Sequence, residues 1–136
     1  MISVRFLFPI MPIASCTSRC THTECFDSPG SFSSPGYPND YWNYLFMSWL
    51  ITAPPGKVIT INFTNFDTQP AKDFFVICDD AFICDTYRVY SGNTGPANVT
   101  SSSNHLRVVF MTDDRTQRGG FSAKFSFECK YKYGHS

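Results

Sequence analysis

The sequence predicts an all-β chain, an antiparallel sandwich or barrel, on three observations. Apolar residues alternate with polar ones at period two, most clearly where Phe121, Ala123, Phe125 and Phe127 are interleaved with Ser122, Lys124, Ser126 and Glu128. Aromatic residues make up 17% of the 136 positions, with 14 Phe and 7 Tyr, and such side chains suit a pleated, half-buried surface. Clusters of Gly, Pro, Asn and Ser recur roughly every 8–12 residues, and no segment carries a 3.6-residue repeat.

Each strand has its own signal. Met47, Trp49 and Ile51 form an inward row, and Pro54-Pro55-Gly56 then turns the chain. In the next strand Ile59, Ile61 and Phe63 alternate with Thr60, Asn62 and Thr64. Residues 74–78 and 86–90 are two further strands, Leu106, Val108 and Phe110 mark another, and the Phe121 row is the last. Ahead of them lies SPGYPNDY, residues 34–41, with two prolines, a glycine and an Asn-Asp pair; a turn accommodates these residues, whereas a helix or a central strand does not. Residues 16–28 read as irregular. With no repeat and no low-complexity linker, the expectation is one domain at 25–129, a Cys-rich lead-in at 16–24 and a polar tail at 130–136.

Composition excludes several partners. Lys plus Arg equals Asp plus Glu at 11 each, so no basic field exists for nucleic acid or an anionic membrane surface. No stretch reaches the ~20 apolar residues of a membrane span. The start of the chain, MISVRFLFPIMPIAS, resembles a secretory signal at 1–15, although Pro9 and Pro12 interrupt its apolar run and a truncated or fragmentary start is the alternative. Asn62 and Asn98 head Asn-x-Thr glycosylation motifs. Six cysteines in so short a chain point to disulfides and an oxidising, extracellular compartment. Cys78 and Cys84 lie across a strand connection and suit a local bridge, Cys25 and Cys129 flank the strands and suit an end-to-end one, and Cys16 and Cys20 suit a local bridge or a link to a neighbouring domain. Many connectivities are open to six cysteines, and the sequence does not choose among them. Cys16, Cys20, His22 and Cys25 match no standard zinc spacing.

Nothing in the chain assembles a catalytic constellation. There are three histidines, with His22 in the lead-in, His135 near the C-terminus and His105 at the start of a strand. The nucleophile-elbow, zinc-protease and phosphate-loop motifs are absent. The expectation is a binding protein and not an enzyme.

The ordered series Gly30-Ser-Phe32-Ser-Ser34-Pro35-Gly36-Tyr37-Pro38, Trp49-Leu-Ile51, Pro55-Gly56, Phe63-Thr-Asn-Phe66, Ser102-Ser103-Asn104, Leu106-x-Val108-x-Phe110-x-Thr112-Asp113 and Gly120-Phe121-x-Ala123 resembles the CUB domain over about residues 25–129. The resemblance implies a jelly-roll-like sandwich of two antiparallel sheets, with residues 34–38 forming the loop that enters the second strand. It also implies an extracellular module that binds protein, or glycan, through loops at one end. The module is either free-standing and secreted or an accessory domain of a larger protease or lectin. Tyr37, Tyr41, Trp42 and Tyr44 are the candidate contact aromatics.

The chain departs from the family in two ways. Met47 stands where the family's second cysteine is usual. Aligning Asp73-Phe-Phe-Val-Ile-Cys-Asp79-Asp80 with the family's Asp-x-Val-x-Val-Tyr-Asp-Gly strand puts Ala71 and Ser91 near the other two cysteine positions. The alternative, aligning residues 85–92, requires a deletion afterwards. Many CUB domains hold Ca²⁺ through a Glu and two Asp, and the resemblance carries these roles to Gln69, Asp73 and Asp113. A neutral amide in place of the first anion lowers calcium affinity, with Asp67 or Asp114 as compensating acids. With the ion bound, the resemblance implies that the shared carboxylates receive a partner's Lys or Arg.

Overall fold

The computed structural model describes residues 23–79, 84 and 87–130. Among the described residues nine strands make two sheets: β1 (Thr23–Phe26), β2 (Gly30–Ser33), β3 (Phe46–Thr52), β4 (Lys57–Asp67), β5 (Phe74–Cys78), β6 (Tyr87–Tyr90), β7 (Asn98–Thr100), β8 (His105–Met111) and β9 (Gly120–Cys129). One sheet has the order β1-β3-β8-β5-β6 and the other β2-β9-β4-β7. Every pairing is antiparallel except β1 with β3. Apart from the β5–β6 pair, which stays in one sheet, successive strands alternate between the sheets, as expected of a jelly-roll-like sandwich.

The alternation read from the sequence is the packing of the inner faces. Trp49, Ile51, Ile59, Ile61, Leu106, Val108, Phe110, Phe121, Ala123 and Phe125 are all buried in one core, and Met47, Phe63 and Phe127 pack against its margin. Phe121 lies at the centre, with ring centroids of Phe32, Trp49, Phe63, Phe75 and Phe110 between 4.7 and 6.4 Å away. Edge-to-face contacts of this kind add to the burial of the rings themselves.

Two expectations are corrected. The stretch read as irregular, residues 16–28, contains β1, so residues 34–45 do not enter the second strand; they leave β2 and cross to β3 in the other sheet. Tyr37-Pro38 within this crossing is a cis peptide. The end-to-end bridge from Cys25 to Cys129 does not form. Cys25 is disulfide-bonded, while Cys129 is a free, exposed thiol. Cys25 is paired to Leu50 in the five-stranded sheet and Cys129 to Lys57 in the other, so the two cysteines lie in different layers. Cys78 and Cys84 are bonded to each other. Cys16, Cys20 and His22 lie outside the described residues, as do residues 131–136.

Candidate functional site

The register of the two sheets brings four connections to one end of the sandwich. β4 stops at Asp67 opposite Gly120, and Met111 at the end of β8 is flanked by Phe46 and Phe74 at the starts of β3 and β5. Segments 34–45, 68–73, 91–92 and 112–119 therefore converge. Ala71 and Thr116, both at positive φ, make the sharp bends in two of them.

Tyr41 and Asp73 tie these segments together. The Tyr41 ring is fully buried and packs edge-on against Phe110 at 5.0 Å. Its hydroxyl donates to Asp73 Oδ2 at 2.6 Å and accepts from the Gln69 backbone N–H at 3.0 Å. Asp73 is 1% exposed, and its Oδ1 accepts the backbone N–H of Asp113 at 2.9 Å. One carboxylate thus joins three segments, and leaving its partners unpaired would cost about 1–3 kcal/mol for each buried group.

Residues 71 and 91, where the resemblance expects cysteines, are in contact. Ser91 Oγ accepts from the Ala71 N–H at 2.8 Å and faces the Asp73 and Gln69 carbonyls at 2.9 and 3.1 Å. A hydroxyl and backbone groups bridge these segments at the place where the family pattern puts a disulfide.

The residues the resemblance assigns to calcium are likewise brought together. Gln69, in the amide orientation that its neighbours satisfy, donates to Asp113 Oδ1 and to the Arg115 carbonyl, each at 3.0 Å, and accepts from Thr116 Oγ1 at 3.3 Å. The two nearby acids have other partners. Asp114 pairs with Arg115 at 3.3 Å and Asp67 with Arg118 at 2.7 Å, both on the surface, where such pairs contribute little to stability.

Burial pushes the Asp73 carboxyl above the usual aspartate range, against the opposing pull of its hydrogen bonds from Tyr41 and Asp113 N–H. Burial, then the bond to Asp73, raises the Tyr41 phenol. A folded-state value above the unfolded one means that the native protein binds the Asp73 proton more tightly. This carboxyl's contribution to stability is therefore full below the ordinary aspartate value and is lost as pH rises through the raised one. Denaturant midpoints measured from about pH 3.5 to pH 7 should show that decline in the wild type, and Asp73→Asn should flatten it. An unchanged profile in the variant would remove Asp73 as the source.

The candidate contact aromatics divide. Tyr41 is no surface residue, because the crossing of residues 34–45 between the sheets carries it into the core. Tyr37 is half-buried and donates to Asn65 Oδ1. Trp42 and Tyr44 are 58% and 78% exposed, and Phe46, which the sequence reading did not single out, is 61% exposed. Asn62 and Asn98 are exposed cross-strand neighbours on the outside of the four-stranded sheet.

Phe46 begins a larger feature that the sequence reading missed. On the outer face of the five-stranded sheet the cross-strand rows are Phe46–Met111–Phe74, then Ser48–Val109–Val76–Val89, then Leu50–Arg107–Cys78–Tyr87. Phe46, Val89 and Tyr87 are exposed, Ser48 and Cys78 are buried, and the others named are half-buried. The available signal was the runs FFVIC and VVFM, apolar at successive positions where a one-sided strand would alternate.

Comparison with known proteins accords with this architecture. The sequence profile of the CUB domain matches residues 20–125. Cubilin of Sus scrofa is 33% identical over 120 residues, covering 82% of this chain and 3% of cubilin. The dorsal-ventral patterning protein tolloid of Drosophila melanogaster is 33% identical over 134 residues, covering 88% of this chain and 13% of tolloid. The crystal structure of the MASP-1 CUB2 domain bound to Ca²⁺ superposes with a TM-score of 0.66 at 21% identity, over 76% of this chain and 96% of that one. This chain thus spans a small part of the curated relatives it matches. It belongs to the CUB domain family, whose members are in general non-catalytic extracellular modules for protein interaction.

Proposed function

We propose that this chain binds an extracellular protein through the outer face of its five-stranded sheet. The observation that carries this reading is the contrast between the two outer faces. One presents Phe46, Phe74, Met111, Val76, Val109, Val89, Leu50 and Tyr87, whereas the other presents rows such as Ser31–Lys124–Asn62–Asn98 and Ser126–Thr60–Thr100. A contiguous exposed apolar patch on a soluble domain marks an interaction surface. Glycans on Asn62 and Asn98 are part of the same proposal, because they would keep the polar face solvated and direct the partner to the other side.

Arg107 specifies the partner's chemistry. It is the lone cation in the three apolar rows, and its buried Nε has no hydrogen-bond partner among the described residues. The side chain as a whole is half-buried, and a guanidinium charge amid apolar neighbours is best met by a carboxylate. The partner is therefore an apolar protein surface carrying an Asp or Glu at its centre. This replaces the expected capture of a partner's Lys or Arg, since Asp73 is buried and Asp67 and Asp114 already have arginines.

The test uses the secreted protein as multivalent bait against an array of purified ectodomains, followed by affinity measurement on each hit. Arg107→Leu is expected to weaken binding about tenfold or more while leaving the melting temperature unchanged or higher, because it removes an unsatisfied buried donor. Phe46→Ala should weaken binding similarly, and Lys124→Ala on the opposite face should not. Hits that bind equally well after Arg107→Leu and Phe46→Ala would sink this assignment.

A further inference from the structure

We infer that the Gln69 amide does here the work of a divalent cation, so that the loops at this end are held in place without calcium. The residues around position 69 are acceptors: Asp113 Oδ1 and the carbonyl of Arg115 both face its side chain. A glutamate there would set its own oxygens against these two acceptors, with the Thr116 hydroxyl the side-chain donor facing it, and the oxygens left facing one another call for a cation. The glutamine amide instead supplies two N–H groups, one to each acceptor at 3.0 Å, while its own oxygen takes the Thr116 hydroxyl. The cluster is thereby satisfied internally.

The remaining donor set does not fit Ca²⁺, which takes six to eight oxygens and favours carboxylates. Both Asp73 oxygens already accept, from Tyr41 and from the Asp113 N–H, in a site closed to solvent. Asp113 Oδ1 also accepts the Arg115 N–H at 3.2 Å. Among the described residues, no group of three or more His, Cys, Asp or Glu side chains is arranged to hold a metal ion. The competing arrangement is the same amide turned half a revolution, with Oε1 facing Asp113 Oδ1 and the Arg115 carbonyl. Without a cation that state is repulsive.

Thermal melting of the intact secreted protein in millimolar CaCl₂ and in EDTA separates the two states. The wild type is expected to melt at the same temperature in both, within about 1 °C, which is well below the shift that a site of even extracellular-type affinity produces. Gln69→Glu should melt lower than wild type in EDTA and recover by several degrees in calcium, because the acid restores the need for a cation. Gln69→Met, similar in size and without donors, should melt lower than wild type in either medium. A wild-type rise of several degrees in calcium, reversed by EDTA, would overturn the inference. So would a Gln69→Glu protein indifferent to calcium, or a Gln69→Met protein as stable as wild type.

Discussion

Replacing Phe121 with Ala is expected to destabilise the domain by about 3–5 kcal/mol, as deletion of a buried aromatic ring does when the surroundings cannot collapse into the space. Five rings from both sheets meet Phe121, and all but Phe63 are themselves buried. Phe32 belongs to the four-stranded sheet, while Trp49, Phe75 and Phe110 belong to the five-stranded one, so the cavity would open at the contact between the layers. None of these rings can fill it without leaving its own place in the core. For a domain of this size the loss corresponds to a fall in melting temperature on the order of 10–20 °C. Phe127→Ala, at a half-buried position near the end of β9 whose ring contact is with Phe125 at 6.2 Å, should cost much less. Thermal or urea unfolding of the two variants side by side checks this, and equal losses would mean that the sheets are not held together at Phe121.

Gly120→Ala is expected to cost about 3 kcal/mol, from two effects of similar size. Gly120 lies at φ +82°, where an alanine is strained by about 1–2 kcal/mol. An added Cβ would also lie 1.9 Å from Ser34 Oγ and 2.9 Å from Ser34 Cβ, so Ser34 must move. Ser34 is buried, and its hydroxyl accepts the N–H of Phe121 at 3.1 Å. Displacing it leaves that buried N–H without its partner, at about 1–3 kcal/mol. Gly119 is the natural control, because a Cβ there meets nothing within 4 Å. Gly119→Ala should leave the unfolding midpoint almost unchanged. If Gly120→Ala proved as mild as Gly119→Ala, neither the backbone conformation nor the Ser34 contact would be needed by the native state.

These two residues show how far the sequence could be read. Phe121 was recognisable as an inward residue from its own strand, since Ala123, Phe125 and Phe127 follow it at period two. That it is the central ring, and that Gly120 is required beside it, depends on Ser34 and Phe32, which lie some 90 residues earlier. The strands that went unread, β1, β2 and β7, are only three or four residues long. Such lengths show at most two turns of an alternating pattern, too few to distinguish from chance.

The loop cluster was partly legible. Family resemblance pointed to Gln69, Asp73 and Asp113, and the fold brings them together. Tyr41, read as a surface contact, is instead the buried donor that holds Asp73, because turn chemistry in its segment says nothing about which neighbours will cover it. The apolar outer face went unseen for a related reason. Period-two alternation identifies one buried face, so a strand apolar on both sides weakens the signal used to find it.

What the sequence by itself determined is the longer strands, their inward rows and the class of fold, because each of these is the local imprint of one face leaving water. Only the tertiary structure decided the partners: Tyr41 with Asp73, Gln69 with Asp113, Ser91 in place of a disulfide, and Arg107 alone among apolar neighbours. Those depend on strand order and register, which arise from pairings between residues distant in the chain, and no local pattern encodes them.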